Sequence, residues 1–236
     1  MNGRAEVPLP TSTTYVLLDL DGTLSDSSPG IARSLRHAFE RCGYPPPTDE
    51  QVRRVIGPPF EVSFPTLGIP GHDIARVVDA YRERYEEIGL FENELYPGIG
   101  EMLDELRTAG HVLSLATAKP QTTAVRIVEH FGLTAYFSVR AGATTEVGSH
   151  RRTKAEVITY AMARLGVANG SRSSVVMVGD RDHDVEGATS NGIDCIGVTW
   201  GFGSRDELTS AGASALVHEP GEVADAVTAT YRSGRT

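Results

Sequence analysis

The sequence predicts an α/β protein: a doubly wound parallel sheet with a small all-helical unit inserted after its first strand. Three observations predict it. Short apolar runs rich in Val, Leu and Ile recur along the chain, and continuous runs of this length read as strands buried on both faces. After residue 96 these runs alternate with segments of helical spacing, which implies right-handed crossovers within one parallel sheet. Between residues 25 and 95 the spacing is helical throughout, and nothing there reads as a confident strand. The predicted core is therefore residues 1–24 and 96–236, with an inserted all-helical unit at 25–95. Residues 1–13, with one Arg, two Pro and no apolar stretch, read as a flexible leader rather than a signal peptide.

The first strand is Tyr15-Val16-Leu17-Leu18, running into Asp19-Leu20-Asp21-Gly22-Thr23-Leu24. Period-two alternation would put the Asp19 and Asp21 carboxylates on one side of the strand end. Gly22 permits a sharp departure of the backbone, and Thr23 adds a hydroxyl. Two like charges on a dry strand end are costly unless a cation neutralises them. A hard, oxygen-seeking cation such as Mg²⁺ suits the pair.

Helices follow. Ile31, Leu35, Ala38, Phe39 and Cys42 share one face, stopped by Gly43 and Pro45-Pro46-Pro47. Thr48-Asp49-Glu50 opens a second helix ending near Gly57-Pro58-Pro59-Phe60, a rigid turn that is a candidate for facing the site. A third helix from about Asp73 places Ile74, Val77, Val78, Tyr81, Tyr85 and Ile88 on one face. Pro97 then starts a helix carrying Ile99, Met102, Leu103 and Leu106, ended by Gly110. A strand at His111–Ala116 leads to Thr117. The face Ala124, Val125, Ile127, Val128 and Phe131 is helical, and Tyr136–Ala141 is the next strand, followed by a polar loop. Thr153-Lys154-Ala155-Glu156 has capping-box spacing ahead of Ile158, Ala161, Met162 and Leu165. Strands at Ser174–Val178, Ile193–Val198 and Ala215–Val217 complete the sheet.

Composition narrows the function. A 236-residue chain that is 40% hydrophobic and 22% charged is an ordinary globular protein with a real core. A net charge of -9 argues against coating nucleic acid, and no apolar run approaches a membrane span. Cys42 and Cys195 read as reduced core residues of a cytoplasmic protein. Of 22 basic residues only Lys119 and Lys154 are lysine; a bias toward Arg is the simple explanation, and a site needing a compact ammonium is the other reading of a retained Lys.

Ligands of open α/β sheets bind beyond the carboxyl ends of the strands. Four polar features stand there or at the helix starts just after: Asp19/Asp21, Thr117, Lys154 and Gly179-Asp180-Arg181-Asp182-His183-Asp184. A lysine in a helix's first turn opposes the dipole, so Lys154 fits an anion there. Arg151 and Arg152 beside it make the neighbourhood locally basic.

Taken in order, Asp-Leu-Asp-Gly-Thr-Leu, Thr117, Lys154 and Gly-Asp-x-x-x-Asp resemble the motifs of the haloacid dehalogenase superfamily over essentially the whole chain. The cap resembles the small helical C1 type of phosphoglycolate phosphatase-like members. The resemblance implies an Mg²⁺-dependent phosphatase acting on a small phosphomonoester. By it, Asp19 is the nucleophile, forming an aspartyl phosphate, and Asp21 the general acid and base. Thr117 binds a phosphoryl oxygen, and Lys154 neutralises charge. The implied metal set is Asp19, Asp21 through its carbonyl, Asp180 and Asp184, with Asp182 the less favoured acid of that motif. The implied substrate-binding set is Thr117, Ala118, Lys119, Gly22 and Thr23. The expected partner is a small phosphorylated metabolite, with no nucleic-acid polymer and no membrane, for a monomer or homodimer. Alternative readings are a 5′-nucleotidase-type substrate range, a phosphosugar mutase of the same fold and a non-catalytic phosphate-binding module. The acid at Asp21 disfavours a dehalogenase.

Overall fold

Leu17 packs on one side of the sheet while Val16 and Leu18 pack on the other, and all three are fully buried. That strand is the middle of everything else. A computed structural model describes residues 14–56, 60–144, 151–167 and 172–233. The leader, Gly57-Pro58-Pro59 and most of the polar loop after the 136–141 strand lie outside those residues.

In chain order the elements are β1 (Tyr15–Leu18), β2 (Ser25–Asp26), α1 (Ser28–Arg41), α2 (Asp49–Val55), α3 (Phe60–Thr66), α4 (Ile74–Glu87), β3 (Glu94–Leu95) and α5 (Ile99–Thr108). Then come β4 (Val112–Pro120), α6 (Gln121–His130), β5 (Phe137–Ala143), α7 (Lys154–Arg164) and β6 (Val175–Gly179). The chain closes with α8 (Asp182–Ser190), β7 (Asp194–Val198), α9 (Arg205–Ala211), β8 (Ala215–Val217) and α10 (Val223–Ser233). Six strands form one sheet in the order β5-β4-β1-β6-β7-β8, every pairing parallel. The predicted doubly wound α/β core is present. One face is covered by α5, α6, α10 and the helical segment after β1, the other by α7, α8 and α9.

Differences from the sequence reading are local. β2 and β3 pair antiparallel at the two ends of the helical segment; two-residue strands are too short to show a period. α3, which carries Pro65 inside it, went unpredicted because seven residues with a proline give no clear helical face. Ile88 leaves the predicted apolar face of α4, because the helix ends at Glu87 and Ile88 is 51% exposed. Cys195 is buried as expected, but Cys42 caps the exposed end of α1 and is only partly covered; both are free thiols. Among the described residues no helix is long and apolar enough to cross a membrane.

Candidate active site

The site forms where β1, β4 and β6 end. The ladder stops at Leu18, yet the Asp19 N–H still donates to the Val178 carbonyl of β6 at 3.0 Å. The chain then turns tightly. The Leu20 carbonyl accepts from the N–H groups of Thr23, Leu24 and Ser25 at 3.3, 2.9 and 3.0 Å. Asp19 and Asp21 thus converge on one cavity through a turn, and not by strand alternation. Gly22 stands at φ +81, and the space of its absent side chain is filled by the Asp180 carboxylate. Only glycine meets both demands.

Lys154 is delivered from the other side of the sheet. The Thr153 hydroxyl and Glu156 side chain close the predicted capping box and start α7. The lysine is 4% exposed. Its Nζ stands 2.7 Å from both Asp19 Oδ1 and Asp184 Oδ1 and donates to the Ala116 carbonyl at 3.0 Å. Burial alone would depress this ammonium, but the Asp184 and Asp19 carboxylates hold it above its ordinary range.

Asp180 is fully buried. One oxygen accepts from Thr23 Oγ1 at 3.4 Å and the other from the Phe202 N–H at 2.8 Å. Burial, and then the fields of Asp184 and Asp19, push its carboxyl well above the usual carboxylate range. Asp19, Asp180 and Asp184 are three buried carboxylates, of which Asp19 and Asp184 share the Lys154 ammonium. Such a deficit of positive charge fits a divalent cation. Oxygens of Asp19 and Asp184 and a ring nitrogen of His183 also lie within 4.8 Å of one another. A hard cation prefers oxygen to imidazole, and Asp184 has both oxygens engaged, by Lys154 and by the Arg181 N–H at 3.1 Å. Asp180 likewise has both oxygens engaged, by Thr23 and Phe202, so hydrogen bonding alone does not rank these acids as Mg²⁺ ligands. Asp182 lies apart from the buried carboxylates, capping the N–H of His183 at 2.7 Å.

Thr117 is 2% exposed and accepts the Lys119 N–H at 3.2 Å. Between Thr117 and Pro120 the register against β5 slips: Thr117 faces Gly142, and Pro120 faces Ala143. This bulge throws Ala118 and Lys119 out of the ladder and over the cavity, a common device beside active sites. Lys119 Nζ reaches Asp21 Oδ2 at 2.7 Å and stands 5.1 Å from the centre of the Tyr85 ring on α4. Burial would lower this ammonium too, but Asp21 and then Tyr85 raise it. Asp21 Oδ1 is buried and accepts no hydrogen bond.

A cavity of about 200 Å³ opens above these groups, lined by Asp19, Asp21, Thr117, Ala118 and Lys119 from the strand ends. Gly22 and Thr23, expected to bind substrate, do not line it. Both are buried and pack on Asp180 instead, with the Thr23 carbonyl held by Trp200 Nε1 at 3.0 Å. Phe60, from the turn expected to face the site, lines the roof, but the rest of the roof went unread in the sequence: Ile31, Val55, Ile56 and Tyr81 from the helical segment, with Phe202 and His183 from the core. So did Arg181. Its Nε donates to Glu207 at 2.7 Å and its guanidinium to the Ile56 carbonyl at 2.8 Å, tying the core to the end of α2. Its place between Asp180 and Asp184 was the available signal.

A family model described as haloacid dehalogenase-like hydrolase matches residues 16–198. The chain is 41% identical over 207 residues to the tyrosine-protein kinase PtkA of Mycobacterium tuberculosis, covering 88% of this chain and 69% of that one. It is 41% identical over 196 residues to a 5′-nucleotidase of Pseudomonas aeruginosa, covering 82% and 86%. Among solved structures it resembles that of a predicted phosphatase from Clostridium acetobutylicum, with a TM-score of 0.82 and 36% identity over 92% of this chain and 100% of that one.

Proposed function

The chain belongs to the haloacid dehalogenase-like hydrolase family, and from that premise we propose that it is an Mg²⁺-dependent phosphatase of small phosphomonoesters working through Asp19. The observation that carries the reading is the buried Lys154 ammonium at 2.7 Å from Asp19. It holds a buried carboxylate in place at the edge of a cavity of substrate size, as a nucleophile requires. We assign residues 25–95 as the cap over that cavity.

In the proposed reaction an Asp19 oxygen attacks phosphorus and the bond to the ester oxygen breaks. Asp21 gives that leaving oxygen a proton. The ionised Asp21 then takes a proton from water, whose oxygen attacks the aspartyl phosphate, releasing phosphate and restoring Asp19. Thr117 and Lys119 bind phosphoryl oxygens, and Lys154 offsets charge on the nucleophile. Asp184 positions Lys154. Asp19, Asp180 and the carbonyl of Asp21 would hold Mg²⁺, which when bound offsets the repulsion between carboxylate and phosphate.

The cavity lining favours a leaving group with an apolar or planar part, such as a nucleoside, over phosphoglycolate. Its two permanently charged cations, Lys119 and Arg181, are already paired with Asp21 and Glu207. With Lys119 given to the phosphoryl group and Arg181 held by Glu207, neither is left for a second carboxylate, whereas Phe60, Tyr81 and Phe202 offer aromatic surface. The test is phosphate release from a panel of nucleoside monophosphates, sugar phosphates and phosphoglycolate, with Mg²⁺ and with chelator. Turnover should need Mg²⁺ and disappear in Asp19→Asn. Undiminished turnover by Asp19→Asn would refute the mechanism. Transfer between sugar positions without free phosphate would point to a mutase, and no turnover on any substrate to a binding module.

A further inference from the structure

Acidic residues outnumber basic ones 31 to 22 in this chain. Arg33, Arg36, Arg41, Arg54, Arg76 and Arg84 all pair with carboxylates. Three arginines at the outer edge of the sheet line one groove instead. β5 is an edge strand, with α6 on one face beside it and α7 on the other. A groove of about 330 Å³ crosses the edge between the two helices, lined by Arg140, Arg151 and Arg164 together with Gln121, Ser138 and Tyr160. Among the described residues no acidic residue lines it. Among the described residues none of the three guanidiniums has a carboxylate partner.

Their placement is built. Arg151 stands over the Tyr160 ring, Cζ 4.3 Å from its centre, and its Nε is buried with no hydrogen-bond partner. A buried donor without an acceptor costs free energy unless something supplies one. Gln121 is clamped to β5, donating to the Arg140 carbonyl at 2.7 Å and accepting the Gly142 N–H at 2.8 Å. The groove floor is thereby rigid. Three like charges lining one groove, one with a buried donor unmet, form an anion site in search of an anion.

We propose that the β5-edge groove binds a small phosphorylated molecule, at a site separate from the catalytic cavity. Guanidinium forks match phosphoryl oxygens two at a time, and the volume suits a small ligand better than an extended polymer. The net charge of -9 opposes a nucleic acid.

The experiment is a calorimetric titration of inorganic pyrophosphate in chelator. It compares the full chain carrying Asp19→Asn, which cannot turn over, with the same chain also carrying Arg140→Gln and Arg164→Gln. Asp19→Asn alone should show two binding events. The added arginine changes should leave one, with affinity for the groove falling roughly tenfold per arginine removed. Arg164→Gln on its own, at an exposed position of α7, gives the single tenfold step if the combined variant fails to fold. Equal stoichiometry and affinity with and without the arginines would overturn the proposal. So would binding of an acidic phosphopeptide in the groove with none of pyrophosphate.

Discussion

Replacing Lys154 by Met removes the ammonium while keeping most of its apolar stem. The lysine is 4% exposed, and its partners Asp19 and Asp184 are 4% and 0% exposed. Both carboxylates would stay behind in a dry site. Breaking a buried ion pair by deleting one partner costs about 3–5 kcal/mol, because the orphaned charge has lost its compensation. For a domain of this size that corresponds to a fall of about 6–20 °C in melting temperature. Urea unfolding followed by circular dichroism, in chelator so that no cation replaces the ammonium, measures the loss. Adding Asp184→Asn should restore at least half of it, since the amide can still accept from the Arg181 N–H while the second orphan charge is gone. The deficit should also shrink in acid, where protonation removes unpaired charge. A Lys154→Met protein within about 1 kcal/mol of the parent at neutral pH, against the buried-pair cost, would refute the reasoning.

Gly22→Ala should cost about 1–2 kcal/mol for the left-handed backbone alone, and more because its Cβ would overlap the Asp180 carboxylate. Gly43→Ala is the control, sharing a positive φ of +78 but with open space around it; equal losses in stability and turnover for the two would contradict the account of Gly22. His111 is half-buried, with both ring nitrogens lacking partners, and burial lowers its pKa. The unfolded chain therefore binds that proton more readily than the folded one. The stability involved is present above the ordinary histidine pKa of ~6.5 and lost as pH falls through the depressed folded value. His111→Phe should flatten the acid side of the stability profile and match the parent near pH 8. An unchanged slope on denaturant titration across that range would dismiss the assignment.

The sequence by itself determined the order of the chemistry. Each strand of the core is a short apolar run, and Asp19, Asp21, Thr117 and Asp180 stand where such runs stop, so strand ends and polar residues are legible together. Thr153-Lys154-Ala155-Glu156 announces its helix through a local hydrogen-bond pattern, and Gly22 its turn. What only the tertiary structure decided is which of these groups touch. Lys119 meets Asp21 because β4 bulges against β5, a register slip that depends on the partner strand. Asp184 serves Lys154, and Gly22 and Thr23 serve Asp180, through contacts more than a hundred residues apart in places. Arg181 reaches Ile56, the aromatic roof closes over Asp19, and Arg140, Arg151 and Arg164 gather at one edge for the same reason. Periodicity and capping are written in neighbours along the chain, whereas long-range packing joins residues whose spacing in sequence carries no period.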